Sequence, residues 1–291
     1  MTTLAPRRKP SSVGRLAAWF MTRTARHVVL LVVAVAWLLP VMGLFFTSLL
    51  PAERLSEGGW WQAFSRPSHL SVSNYEAILD TPWLSAALTT TVWVTLGGAV
   101  LPVAIALLAG YALTRLDLPG SDWVVLGVVI LMIVPPQMAL IPIIRLYNVT
   151  NLFDTILGLV LFHTAFGLPF TIFVMTNYIG NIPREYTDAA RVDGVSELGI
   201  VWRIILPLSL PAVAGLLIIQ VLAVWNDLLV GLVLAQSKQP IMAALMSQAE
   251  FRGTNFDVIA PGAFLAAIVP AVLFIVFLPY YERGFVGAGL D

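Results

Sequence analysis

Apolar and polar positions along the chain alternate in long blocks, not with a short period. Six stretches, near 28–50, 84–113, 123–145, 155–179, 212–235 and 261–281, are apolar and long enough to cross a bilayer core, which takes roughly 20 residues as a helix. The second is over-long for a perpendicular span and predicts tilt or extension beyond the membrane. The third carries Pro135, Pro136 and Pro142. Prolines remove backbone donors, so this span is expected to be kinked or broken, with neighbouring protein or a cavity satisfying the freed groups. No internal repeat is visible. The fold class that follows is all-α: a polytopic membrane protein with six transmembrane helices. A basic segment, 1–27, precedes a transmembrane domain, 28–291.

Between the fourth and fifth apolar stretches lies a polar island, 180–211, whose punctuation is too regular for a slack linker. Pro183 suits the first turn of a helix, where a missing N–H costs nothing. Glu185 and Asp188 place negative charge in that turn, where the helix dipole favours it. Gly194 stands where a C-cap glycine would sit. Ser196 can cap a second short helix running to Leu206, which Pro207 stops. The expectation is two short helices joined by a tight bend at a membrane surface, a knob shaped to dock onto another protein. Ala189 and Ala190 lack bulk and allow close backbone approach. Glu185 and Asp188 either meet basic residues of that partner or stabilise the helix start. Arg191 is open to the same two readings, partner contact or solvated face.

Composition narrows the class. The chain is 59% hydrophobic and 11% charged, with a mean hydropathy of +0.89, too apolar for a soluble domain of this length. Its formal net charge is zero, which implies no nucleic-acid partner. It has no cysteine, which excludes disulfides and thiolate metal sites. No Gly-x-x-x-x-Gly-Lys-Ser/Thr loop is present to cradle a nucleotide phosphate, and no His-Glu-x-x-His or Gly-x-Ser-x-Gly pattern occurs. His27, His69 and His163 are scattered, His163 reading as a satisfied core histidine. The chain is therefore expected to be no enzyme and to bind no cofactor, and any energy for uphill transport must come from a partner.

Orientation follows from the positive residues. Arg7, Arg8, Lys9, Arg15, Arg23 and Arg26 precede the first span with no acid among them, which places the N-terminus, and after six spans the C-terminus, in the cytoplasm. A cleaved signal peptide is the competing reading. Against it, the basic region is long, the apolar run exceeds a usual h-region and no Ala-x-Ala site follows. The later loops are nearly neutral on orientation.

Asp188-Ala189-Ala190, three residues, Gly194, nine residues, then Ile204-Ile205-Leu206-Pro207 resembles the coupling loop of the integral-membrane subunits of bacterial binding-protein-dependent ATP-driven importers. In that family the pattern is Glu-Ala-Ala, three residues, Gly, nine residues, Ile-x-Leu-Pro. Asp188 stands where Glu is usual, keeping the charge with one methylene less reach. Gly110-Tyr111-Ala112-Leu113-Thr114-Arg115-Leu116 before Pro119-Gly120, Ser73-Asn74-Tyr75 and Trp225-Asn226-Asp227-Leu228-Leu229 are similar to the carbohydrate subfamily, and most of all to the smaller permease of maltose-type transporters. The tail Gly284–Asp291 matches only in part. Gln239-Pro240-Ile241 and Arg252-Gly253 are similar to the α-glucoside branch. The resemblance implies a bacterial cytoplasmic-membrane permease importing a di- or oligosaccharide. It also implies its partners: a second homologous permease, two ATP-binding subunits that hold ATP and Mg, an extracytoplasmic sugar-binding protein, the sugar and the surrounding lipid.

For the substrate path, Asn226 and Asp227 are the polar pair at membrane depth, and such groups face a bundle interior or water. They can bond sugar hydroxyls while Trp225 stacks on a sugar face, or they can serve interhelical hydrogen bonding or an interfacial position. Gln137 beside the paired prolines carries the same two readings. Trp60 and Trp61 fit interfacial anchoring or contact with a binding protein. A non-sugar solute, a lipid or a peptide remains open as cargo. An ion-coupled secondary transporter would show inverted repeats and more intramembrane charge.

Overall fold

The computed structural model describes residues 12–252 and 256–281. The basic residues Arg7, Arg8 and Lys9, Gly253 and the tail 284–291 lie outside them. Among the described residues every regular element is helical. The chain opens with α1 (Ser12–Ser48), the short helices α2 (Ala52–Glu57) and α3 (Gln62–Ser65), a 3-10 turn at Pro67–His69 and α4 (Ser73–Leu79). The long α5 (Pro82–Arg115) leads to α6 (Ser121–Leu131), α7 (Pro136–Thr150) and α8 (Ile156–Gly180). The polar island holds α9 (Glu185–Val192) and α10 (Glu197–Ile200), and the chain finishes with α11 (Leu206–Trp225), α12 (Leu229–Leu234), α13 (Ile241–Arg252) and α14 (Phe256–Tyr281).

Five segments, Thr24–Ser48, Pro82–Arg115, Ile156–Gly180, Glu197–Trp225 and Phe256–Phe277, are each long and apolar enough to cross a membrane. The sixth expected span is a bent pair: α6 and α7 meet at 96°. The break sits at the Pro135–Pro136 pair, as the sequence predicts, with Pro135 extended at the head of α7 and Pro142 inside it.

The centre of the bundle is the α5–α8 pair, packed along its length, with α11 laid against both and α14 against α11. Small residues let these backbones approach. A Cβ on Gly110 would stand 3.1 Å from the Met175 backbone, and one on Gly98 2.9 Å from the His163 Cβ. Close approach through small residues gives dispersion contact where lipid supplies no hydrophobic drive. Two apolar clusters result, one at each end. Val103, Leu107, Met175, Ile179, Ile200, Ile205 and Leu216 pack at the α9 end. Val94, Tyr147, Leu159, Phe162, Val224 and Leu234 pack at the opposite end. Helix α1 touches mainly α14 and leaves residues such as Trp37, 78% exposed, for lipid or a partner.

Three expectations are corrected. Pro207 stops nothing: α10 runs through a π-helical turn, Val201–Ile205, into α11, with the Leu206 N–H bonded to the Val201 carbonyl. That i→i−5 turn widens the helix just before the proline, where a regular ladder would have met a missing donor and a ring clash. The fifth apolar stretch is not one helix to 235. It ends at Trp225, and Asn226–Leu228 separate it from α12. The loop expected at 236–260 contains α13, whose Ile241, Ala244 and Leu245 pack on Ile78 and Leu84. In the first loop, buried Asn74 donates to the Ser48 and Leu50 carbonyls (3.1 and 2.8 Å). It thereby closes the end of α1, whose last carbonyls have no intrahelical partner.

Candidate functional site

Two polar assemblies lie at opposite ends of the bundle. At the first, α9 begins after Arg184, whose carbonyl takes the Asp188 N–H; Pro183 lies one residue outside the helix, not in its first turn. The helix ends as the sequence suggests. Gly194 has φ +78°, its N–H bonds the Arg191 carbonyl and the Val195 N–H bonds the Ala190 carbonyl, a Schellman closure that requires a left-handed residue at Gly194. Ser196 caps α10, its hydroxyl accepting the Gly199 N–H at 3.3 Å.

Arg191 is the centre of this end. Its guanidinium bonds Asp188 at 3.0 Å, both oxygens of Glu197 at 2.9 and 3.2 Å, and the Arg115 carbonyl at 3.0 Å. The hydrogen bond to the Glu197 carboxylate pushes the Arg191 pKa up, so the charge is permanent. Tyr111 donates to the same carboxylate, and buried Arg115 donates to the Ile179 and Ile182 carbonyls. One guanidinium therefore ties α9 and α10 to the end of α5, and Arg115 ties that end to α8.

The two alanines part company. Ala190 is buried against Ile200 and Ile205, where its small size seats α9 on the bundle, and only Ala189 is exposed. Ile204 and Leu206 also pack on that cluster, while Glu185 and Pro207 are exposed. The apolar surface presented outward comes from residues sequence reasoning missed: Tyr186, Val192 (88% exposed), Leu198 and Trp202. Their mismatch with a polar helix was the signal available.

At the opposite end, Gln137 from the head of α7, His163 and Phe166 from α8, Gln220 from α11, and Asp227 line a cavity of about 230 Å³. Asp227 Oδ2 accepts the N–H groups of Val230 and Gly231 at 3.0 and 3.2 Å, fixing the carboxylate at the start of α12. His163 Nε2 stands 4.0 Å from that oxygen; the side chain is largely buried, 12% exposed, and lines the cavity. Two expected members are absent. Trp225 is buried, its indole N–H bonded to the Ala266 carbonyl at 3.0 Å, so no face is free to stack on a sugar. Asn226 is exposed and donates to the Leu222 carbonyl at 2.8 Å, capping α11. Both follow from the helix ending at 225, which turns these side chains inward and back along the axis.

Beside the cavity, Asp154 clasps the loop before α13. Its carboxylate accepts the backbone N–H groups of Gln236, Ser237 and Lys238 at 2.7, 2.8 and 3.1 Å and the Ser237 hydroxyl at 2.6 Å. Burial alone would raise its pKa, but the bonds from Ser237, Lys238 and Gln236 outweigh it and hold the pKa below the ordinary value. Among the described residues no group of three or more His, Asp or Glu could hold a metal.

Residues 106–282 match the family described as binding-protein-dependent transport system inner membrane component. The chain is 37% identical over 271 residues to the osmoprotective compounds uptake permease protein GgtD of Synechocystis sp., covering 91% of each. It is 37% identical over 226 residues to the alpha-glucoside transport system permease protein AglG of Rhizobium meliloti, 75% of this chain and 60% of that one. A chain of a bacterial ABC transporter involved in import of the acidic polysaccharide alginate has the same fold, with a TM-score of 0.76 at 22% identity over 94% of this chain and 99% of that one.

Proposed function

Because the chain belongs to the family of binding-protein-dependent transport system inner membrane components, we propose that it is one permease subunit of an ATP-driven importer of di- or oligosaccharides. It forms half of the path together with a second homologous permease. The observation that carries this reading is the knob at the α9 end: a helix locked to its bundle by Arg191, yet presenting Tyr186, Val192, Leu198 and Trp202 outward. Exposed apolar side chains rimmed by Glu185 and Asp188 suit a protein partner. The partner is a pair of ATP-binding subunits, which hold ATP and Mg; this chain lacks the phosphate-cradling loop.

Closure of the ATPases pushes α9. The push passes as a rigid movement to α5 and α8 through Arg191 and Arg115, and to α11 through the π-helical turn, because packed elements move as units and are not continuously deformable. The far ends of these helices carry the cavity, which opens to take sugar from an extracytoplasmic binding protein and then closes toward it. The relative named for alpha-glucoside transport supports sugar-like cargo.

Capture of tagged chain from its native membranes in mild detergent, with mass spectrometry of co-purifying proteins, tests the assembly. A P-loop ATPase and a second multi-span permease are expected; recovery of the chain alone sinks the reading. In this reading both termini lie in the cytoplasm, with the α9 end on the same side. The cysteine-free sequence makes the side assignment simple to test. A membrane-impermeant maleimide should label Lys238→Cys from outside intact spheroplasts and leave Val192→Cys untouched; the reverse pattern inverts the topology.

A further inference from the structure

Resting on that importer reading, we infer that the cavity between Gln137, His163, Gln220 and Asp227 is a subsite for one neutral glycosyl unit, held by this subunit itself, that rejects the matching uronate. Elements distant in sequence bring uncommitted polar atoms to one place. Gln137 stands at the head of α7, where the Pro135–Pro136 break turns the chain, and it is exposed, with no side-chain hydrogen bond among the described residues. Gln220 donates one N–H to the Gly167 carbonyl at 3.2 Å, which leaves its second N–H and its oxygen. Asp227 uses Oδ2 to cap α12 and turns Oδ1 free. The His163 nitrogen and Asp227 Oδ2, 4.0 Å apart, are too distant to bond each other yet close enough for one hydroxyl to bridge.

The remaining wall is apolar, aliphatic side chains such as Leu140 and Val224 together with two phenylalanines. Phe166 is backed by Phe162 at 4.6 Å between ring centroids. A pyranose needs this combination, hydroxyls around its edge and an apolar C–H face. The volume, about 230 Å³, is below the roughly 300–1,000 Å³ of sites that enclose a whole drug-sized ligand. It suits a single ring, with the rest of an oligosaccharide lying along the path. Specificity comes from charge. No lysine or arginine lines the cavity, and Asp227 is its carboxylate. A uronate would bring a second carboxylate against it with no cation to offset the repulsion, which at such short range outweighs the gain from hydroxyl bonding.

The test uses the full chain with its co-purified subunits in nanodiscs, without binding protein, and saturation-transfer NMR with methyl α-glucoside and methyl α-glucuronide as probes. The wild type should transfer saturation to the glucoside and at least tenfold less to the glucuronide. Gln137→Leu, at an exposed position with no internal bond to lose, should cut the glucoside signal at least fivefold. Asp227→Asn keeps an oxygen to cap α12 and should narrow the gap between probes to under threefold. Equal signals in the wild type, a glucoside signal untouched by Gln137→Leu, or a gap unchanged by Asp227→Asn would each overturn the subsite. A sample that carries the ATPase but shows no glucoside signal overturns the subsite alone; a sample that never carries the ATPase overturns the importer reading.

Discussion

The two ends of the bundle treat polar side chains in opposite ways. At the α9 end they are spent on one another: Arg191 joins Asp188, Glu197 and the Arg115 carbonyl, Tyr111 meets Glu197, and Arg115 closes on α8. At the cavity end Gln137, Gln220, His163 and Asp227 stand around a void with bonding capacity left over. A network centred on Arg191 and Glu197, each held by several partners over a packed cluster, is stiff. An unsatisfied set around a break in the helices is what a transient ligand requires. One end is built to be moved whole, the other to be filled and emptied.

The sharpest way to break the contrast is to loosen the stiff end. Arg191→Ala removes the bridge between α9, α10 and α5 and should reduce sugar-stimulated ATP hydrolysis by the reconstituted complex at least tenfold while the subunits still co-purify. Arg191→Lys should recover little, since a single ammonium cannot meet Asp188, the Glu197 fork and a carbonyl together. Normal stimulation in both variants would show that the clamp is not what transmits movement. Next in size is Gly194→Val. Nothing lies within 4 Å of a Cβ there, so the penalty is conformational: a β-branched residue at φ +78° costs on the order of 1–3 kcal/mol. The chain should insert normally and retain the ATPase about fivefold less well, with Gly194→Asn nearly neutral because asparagine tolerates the left-handed region. Equal retention by the valine and asparagine variants would remove the knob's shape from the docking argument.

Much of the stiff end was legible in the sequence, and much of the cavity end was not. Gly194, Ser196 and the Pro135–Pro136 break act through local backbone rules, which spacing reveals. Pro207 misled because its missing donor is absorbed by the π-helical turn, a rearrangement of the preceding ladder that leaves no local mark. Arg191 was readable as a surface charge because its partners Glu197 and Arg115 sit on other elements. Trp225, Asn226 and Asp227 are adjacent in sequence, yet the end of α11 sends them three ways, inward, back along the axis and into the cavity. Gln220 and His163 had no motif to announce them; only the approach of α11 to α8 makes them neighbours.

That divergence sharpens into a smaller prediction. Trp225→Phe keeps most of the buried volume but leaves the Ala266 carbonyl without its donor, at a cost of about 1 kcal/mol. The melting temperature of the complex should fall while the sugar concentration giving half-maximal transport is unchanged. A shift in that concentration with no loss of stability would return Trp225 to the path.

The smallest effect concerns the clasp beside the cavity. A carboxyl whose pKa is depressed in the folded state contributes stability above its unfolded pKa, and that contribution is lost as pH falls through the folded value. Asp154 is of this kind, with an unfolded value of about 3.9. The Gln236, Ser237 and Lys238 amides should therefore be protected from hydrogen exchange at neutral pH, relative to their intrinsic rates. The protection should fade only below about pH 4, where Asp154 takes up its proton. Asp154→Asn offers one neutral oxygen in place of a carboxylate that accepts four bonds, so protection should be weaker at neutral pH and flat with acidification. A variant whose protection tracks the wild type at every pH would mean that the loop is held by the packing of α13 and not by the carboxylate.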